Sequence, residues 1–309
     1  MPLATDVLPP VLTASVAVAG LIVSTRTASK RYREERNKDR RASRQLHRQE
    51  KRAQDEANRR RFDERFAQAV ESLDAGNPAH RIAAVVLISS MLREPDRQLA
   101  DQAFALLVGS LQRHRDSSSD VTEGVAAMLL PVLEGALRTL AAERPGRPLD
   151  LTRLRAARIN LTGLYLNGSD LAFADLSRSS LSSAGLSKSD GFALRLVGST
   201  LNQAVMREVR WHCVDAQLAK FKWATLTSAE LRRGDFRGAD FFQAQLQSAH
   251  FERADLRGAR FDRATLTDTF FVGAQFDEVA LRSILRAKNP ERAVFDETTE
   301  GHLFDLTQD

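Results

Sequence analysis

His212 and Cys213 stand side by side, a pair that could give a metal two ligands or pair a thiol with a base. Two ligands do not close a metal site, and neighbours on an extended strand point to opposite faces, so neither chemistry is expected there. Asp170, Asp175, Asp235, Asp240 and Asp255 recur at multiples of five residues. A single residue type at a fixed period marks a structural position, whereas acid–base catalysis needs two groups in different environments. Gly234, Gly238 and Gly258 read as bends and form no phosphate loop. Arg233, Arg237, Arg253 and Arg257 are expected to face outward, with the first and third, and the second and fourth, stacked twenty residues apart. Four guanidiniums at one corner would suit a phosphate or an acidic partner; the competing reading is a solvated face balanced by Glu252 and Asp277. No catalytic residue, metal site or cofactor is assigned, and the chain is not read as an enzyme.

The elements that must carry these residues follow a period of five. Of the twenty-seven positions reached by stepping five residues at a time from 151 to 281, fifteen are Leu and seven Phe. The exceptions are Ala156, Gly191, Met206, Trp211 and Ala216. Two residues before most centres stands a small side chain, as at Ala174, Ala204, Ala229, Ala254 and Ala264. Five residues on an α-helix advance the angle by about 500°, which would spread these centres around the axis. On short strands, positions two apart share a face, so the small residue and the Leu or Phe turn inward together. A bend of about a right angle after each pentad closes a coil every four pentads, and stacked coils form a parallel β-solenoid. Positions twenty apart then superpose, which places Trp211 between Gly191 and Leu231, and Ala216 between Leu196 and Phe236. The pattern is weakest over 187–222, where large residues meet small ones.

The remaining chain is helical or apolar. Among 309 residues there are 38 Arg, 7 Lys and a single cysteine, Cys213, which excludes an internal disulfide and a cysteine-rich zinc fold. This arginine bias, in an alanine-rich chain, reads as a GC-rich bacterial genome. The net charge of +5 is unevenly placed: residues 26–65 hold 16 Lys or Arg against 8 Asp or Glu, while residues 149–309 hold 21 of each. Between Asp6 and Arg26 lies an uncharged run whose unbroken part spans about 22 Å as a helix. It is read as a single transmembrane anchor, with Arg26, Lys30, Arg31, Arg33 and Arg36 as a membrane-proximal basic cluster. That places the N-terminus outside and the rest in the cytoplasm, at the cell membrane, with anionic lipid in reach of the basic cluster. Residues 26–65 are expected to form one charged helix with pairs such as Glu34–Lys38, Asp55–Arg59 and Glu56–Arg60, and with apolar residues too sparse for a coiled-coil seam. Apolar stripes ending in Val125, Leu129, Leu133, Leu137 and Leu140 make residues 66–148 a helical module, with a kink at Pro131.

The A(D/N)Lxx pattern, unbroken from AELRR through GDFRG, ADFFQ, AQLQS, AHFER and ADLRG to ARFDR at 229–263, resembles the pentapeptide-repeat family. Residues 65–114 resemble the helical segment before the repeats in membrane-anchored actinobacterial members. The resemblance implies a right-handed quadrilateral parallel β-helix over 149–281, with 1–25 an anchor, 26–65 a basic helix, 66–148 a helical module and 282–309 a cap or tail. It also implies a membrane-tethered scaffold presenting flat faces to a protein partner, with a homodimer allowed. Some members of the family mimic DNA and protect gyrase; the balanced charge of residues 149–309 argues for the scaffold instead. A further alternative is binding of anionic lipid or nucleic acid by the basic helix, with nucleic acid disfavoured.

Overall fold

The computed structural model describes residues 10–74, 78–92, 96–113, 130–140 and 148–308. The chain divides into two compact units, Met1–Glu64 and Arg65–Asp309.

One helix, α1 (Pro10–Asp74), runs through the first unit. Its 65 residues span about 97 Å at 1.5 Å per residue, and no proline interrupts it after its first position. Side chains 40–56 are exposed. Gln54 Nε2 donates to Asn58 Oδ1 at 3.2 Å, but among the described residues no ion pair joins Asp55 to Arg59 or Glu56 to Arg60. Exposed pairs of this kind gain little in water, which explains their absence. The side chain of Glu34 lies outside the described residues.

The membrane placement is corrected. Among the described residues no helix is long and apolar enough to cross a membrane. Pro10 opens the helix and Arg26 ends its uncharged stretch, and the roughly 22 Å between them falls short of a hydrocarbon core of about 30 Å. Thr13, Ser15, Ser24 and Thr25 dilute what is there. Without a span, the single-pass topology with its outside N-terminus loses its basis, and so does the membrane-proximal role of Arg26, Lys30, Arg31, Arg33 and Arg36. Lys30 and Arg36 are exposed on α1; residues 1–9 and the side chains of Arg26, Arg31 and Arg33 lie outside the described residues.

In the second unit, α2 (Pro78–Met91) packs on α3 (Arg97–Arg113), and α4 follows at residues 130–140. Val125 and Leu129, and the turn that would show a kink at Pro131, lie outside the described residues. Leu73, Ile88, Leu107, Leu133, Leu137 and Leu140 are buried in the same core as the solenoid that begins at Leu151.

Residues 149–277 wind into coils of twenty residues. Parallel bridges join Asp150 to Asp170, Asp170 to Asp190 and so on to Asp255 and Gln275. Each contact is a bridge between single residues, so the extended strands expected for every face are not formed among the described residues. A tight turn in every pentad explains this. Leu154 N bonds Leu151 O at 3.1 Å, and Arg153, the second of the two residues between them, is left-handed at φ 56. That is a type II turn, and it consumes four of the five residues. The same left-handed conformation recurs every five residues, at Phe173, Cys213, Trp223, Arg233 and Arg253 among others, and Gly238 and Gly258 supply it without a Cβ clash. Gly234 is not a bend. It occupies the small inward position, where a Cβ would lie 2.5 Å from Phe236 Cε2 and 3.0 Å from Val214 Cγ1.

In the pentad that begins at Asp170 every backbone N–H finds a partner. Leu171 N bonds Asp190 O in the next coil at 2.7 Å, Phe173 N bonds Phe192 O at 2.8 Å, Ala174 N closes the turn on Leu171 O, and Asp170 N reaches back to Leu149 O at 2.9 Å. The fifth, Ala172 N, donates to Asp170 Oδ1 at 2.9 Å. Asp175, Asp190, Asp240 and Asp255 accept from the N–H two residues on in the same way. The recurring carboxylate is therefore the turn's own acceptor, which gives its five-residue period a backbone cause.

The tube is filled. The Leu and Phe centres from Leu151 to Phe271, and the alanines two residues before them, are buried, with Phe221, Phe241 and Phe261 stacked nearly parallel at 4.9 and 5.2 Å. Trp211 lies where expected, over Gly191, and its Nε1 donates to the buried Ser189 Oγ at 3.0 Å. At the first coil, where no earlier coil exists, α4 substitutes: Glu134 Oε1 accepts from Asn160 N at 2.7 Å, and Arg138 donates to Asn160 O and Thr162 O, each at 3.3 Å. At the other end α5 (Glu278–Leu285), a 3-10 turn (Pro290–Arg292) and α6 (Glu297–Gln308) follow. Their segment accepts from the last coil through Arg286 O, Lys288 O, Arg292 O and Val294 O. Both open edges are thus covered, which removes the template for end-to-end pairing.

Candidate interaction surface

Three positions of each pentad face outward, so any site must be built from residues stacked twenty apart or from neighbours across a turn. Arg233 and Arg253 occupy the same left-handed corner in successive coils and are exposed; Arg237 and Arg257 stand on the adjoining face and are exposed too. Two of the four are bound to carboxylates. Arg237 makes a two-pronged contact with Asp235, Nε to Oδ1 at 2.9 Å and Nη2 to Oδ2 at 2.6 Å, and Arg257 grips Asp255 in the same manner, Nε to Oδ1 at 2.9 Å. Arg237 Nε also lies 3.7 Å from Asp255 Oδ2. These carboxylates hold both guanidiniums more firmly protonated than usual. Arg233 and Arg253 have no carboxylate partner among the described residues. The corner thus offers two free cations beside two neutralised ones.

His212 and Cys213 lie in one turn and not on opposite faces of a strand, with Cys213 at its left-handed corner. Among the described residues no group of His, Cys, Asp or Glu could hold a metal. His212 Nε2 instead contacts Glu230 Oε2 at 2.9 Å. The chain of contacts continues from Glu230 to Arg232 at 3.4 Å, from Arg232 to Glu252 at 3.3 Å, and from Glu252 to His250 at 2.9 Å. His250 stacks on Phe270 at 4.6 Å. This ladder across three coils is not legible in the sequence, because its members belong to different pentads and occupy no single repeat position.

Large outward aromatics form the other surface feature. Phe173 and Phe192, 52% and 44% exposed, meet edge to face at 5.4 Å with Arg153 over Phe173. Trp223, 47% exposed, meets Phe242 at 5.9 Å, and Arg263 lies over the Phe242 ring. The signal available in the sequence is the reading frame itself, which puts 173, 192, 223 and 242 at outward positions.

Several carboxylates of the repeats and cap titrate low. The Arg257 hydrogen bond holds Asp255 below its ordinary range, and the Thr299 backbone N–H does the same for Asp296. Burial is the largest influence on Glu252 and Asp262 and pushes both up, but hydrogen bonds and neighbouring positive charges, from His250 and Arg232 on the first and from Arg286 and Arg260 on the second, together outweigh it and both end lowered. A carboxylate lowered by folding adds stability above its unfolded pKa and loses it as pH falls through the folded value. The melting temperature is therefore expected to hold from neutrality to about pH 5 and to drop below about pH 4. Melts followed by circular dichroism across that range check this; greater stability at pH 3 than at pH 6 would contradict it.

The family model for pentapeptide repeats matches in eight copies, over residues 151–190, 219–258 and 244–282. The stretch it passes over, 191–218, contains Gly191, Trp211 and Ala216. No curated protein matches the sequence. Among solved structures the chain is similar to a trypsin-treated variant of QnrB1, described as a plasmid-mediated fluoroquinolone resistance protein. The identity is 14%, over 52% of this chain and 84% of that one, with a TM-score of 0.35. It is also similar to HetL of the cyanobacterium Nostoc sp. strain PCC 7120, described as involved in heterocyst differentiation regulation, at 15% identity, 53% and 97% coverage and a TM-score of 0.19. A third is Rfr23 of the cyanobacterium Cyanothece 51142, at 21% identity, 43% and 91% coverage and a TM-score of 0.18.

Proposed function

From a chain built on pentapeptide repeats, we propose a protein-interaction scaffold that works through the outside of its solenoid. The observation that carries this reading is the set of half-exposed aromatics, Phe173, Phe192 and Trp223, on a rigid frame whose interior is filled by its own side chains. A filled tube leaves no internal room for a substrate, and both ends are covered by helices, so the side faces are what a partner can meet. Aromatic and Arg side chains fixed on a stiff surface lose little entropy on binding and dominate interface energies.

The DNA-mimic alternative needs a continuous negative field to attract a basic saddle. Residues 149–309 carry 21 basic and 21 acidic residues, and the arginines at 233 and 253 would repel such a saddle. The scaffold reading is tested by placing a photo-cross-linking residue at 192 or 223 of the full chain in its source cells. Discrete adducts of defined mass are expected from at least one of these sites.

A further inference from the structure

Between Arg40 and Arg59 the cations of α1 are one-sided, while Lys38 and Arg60, next to the ends of that stretch, fall off the stripe. At 100° per residue, every Lys and Arg between positions 40 and 59 falls within about a third of the helix circumference: Arg40, Arg41, Arg44, Arg48, Lys51, Arg52 and Arg59. Asp55 is the one carboxylate on that side. The opposite side carries Ala42, Leu46, Gln49, Glu50, Ala53 and Ala57. All seven cationic side chains are exposed, and none is in an ion pair among the described residues. In the second unit, by contrast, Arg195, Arg210, Arg232, Arg237, Arg257 and Arg260 of the solenoid and Arg286 and Arg292 of the cap are tied to carboxylates, although among the described residues Arg233 and Arg253 are not.

We propose that this side of α1 binds the phosphate backbone of a duplex nucleic acid. A straight row of guanidiniums over about 28 Å, close to one duplex turn of about 34 Å, can meet successive phosphates without reading bases. Arginine suits the task because its planar fork grips phosphate oxygens with two donors. A bilayer surface fits less well, since a helix lying in the interface needs a broad apolar face, and the back of this stripe offers Leu46 as its one large apolar side chain. The inference goes beyond the scaffold reading and gives the chain a second binding surface in its other unit.

The test uses the full chain and a fluorescent DNA duplex of about 20 base pairs, titrated in salt from about 50 to 200 mM. With five or six phosphates neutralised, the plot of log K against log salt should have a slope of about −5. Converting Arg40, Arg44, Arg48 and Lys51 together to Gln should cut that slope to between about −1 and −2 and weaken binding by about 100-fold or more at low salt. Converting the three arginines to Lys, with helicity checked by circular dichroism, should retain most of the affinity. Arg233→Gln with Arg253→Gln should change neither quantity. A slope near zero, equal losses in the Gln and Lys variants, or binding to phosphatidylserine vesicles without binding to DNA would each overturn the proposal.

Discussion

Phe261→Asp is expected to unfold the C-terminal coils. Phe261 is fully buried, stacked at 5.2 Å on Phe241 and edge to face with Phe271 at 5.8 Å, so the change deletes an aromatic and buries a carboxylate with no partner. Removing the ring alone costs about 3–5 kcal/mol, and the charge adds to that. Leu256→Asp, at the neighbouring centre, should behave alike. The matched control is Arg257→Gln, one residue from Leu256 and half-exposed, which should leave the melt little changed. Thermal melts of the three variants check the frame. Equal losses at 256, 257 and 261 would mean that inward and outward positions have been misassigned.

Gly191→Ala is expected to destabilise for the opposite reason, by a smaller amount. Its Cβ would sit 2.5 Å from Trp211 Cδ1 and 2.8 Å from Nε1, inside the buried tube. Gly191 has no left-handed φ, so the penalty is one of space and not of backbone strain. Trp211 cannot turn aside cheaply, being buried and held by Ser189. Overpacking of this kind costs about 1–3 kcal/mol. Adding Trp211→Leu to Gly191→Ala should restore part of the loss, and a double-mutant cycle measures that coupling. Simple additivity of the two changes would show that the twenty-residue register does not place them together.

Much of this frame is written in the sequence, because a fixed period constrains many positions at once. The Leu and Phe centres, the alanines two before them and the pairing of Trp211 with Gly191 all follow from one repeat length. What the sequence conceals is local. An Asp at a ladder position does not reveal that its carboxylate caps the N–H two residues later, and a non-glycine side chain such as Arg153 or Cys213 gives no sign of a left-handed backbone. Gly234 reads as a bend in the sequence because glycine serves equally where conformation and where volume is the constraint; the ring of Phe236 decides between them. The arginine corner is legible as four charges and not as two pairs and two free groups, since rotamers are not encoded by spacing. The uncharged N-terminal run reads as a membrane span from its length without charge, although length and apolarity together fall short.

The central claim is that partners meet the outer faces of the solenoid, and a photo-cross-linking residue tests it most directly. Placed in the full chain at 192, 223 or the buried position 241, with folding confirmed by the melt, it samples two outward sites and one inward site under the same conditions. The account predicts protein adducts from 192 or 223 that are lost when the neighbouring aromatics, Phe173 or Phe242, are changed to Ala, and none from 241. Absence of adducts from both outward sites, or adducts indifferent to those aromatics, would contradict it.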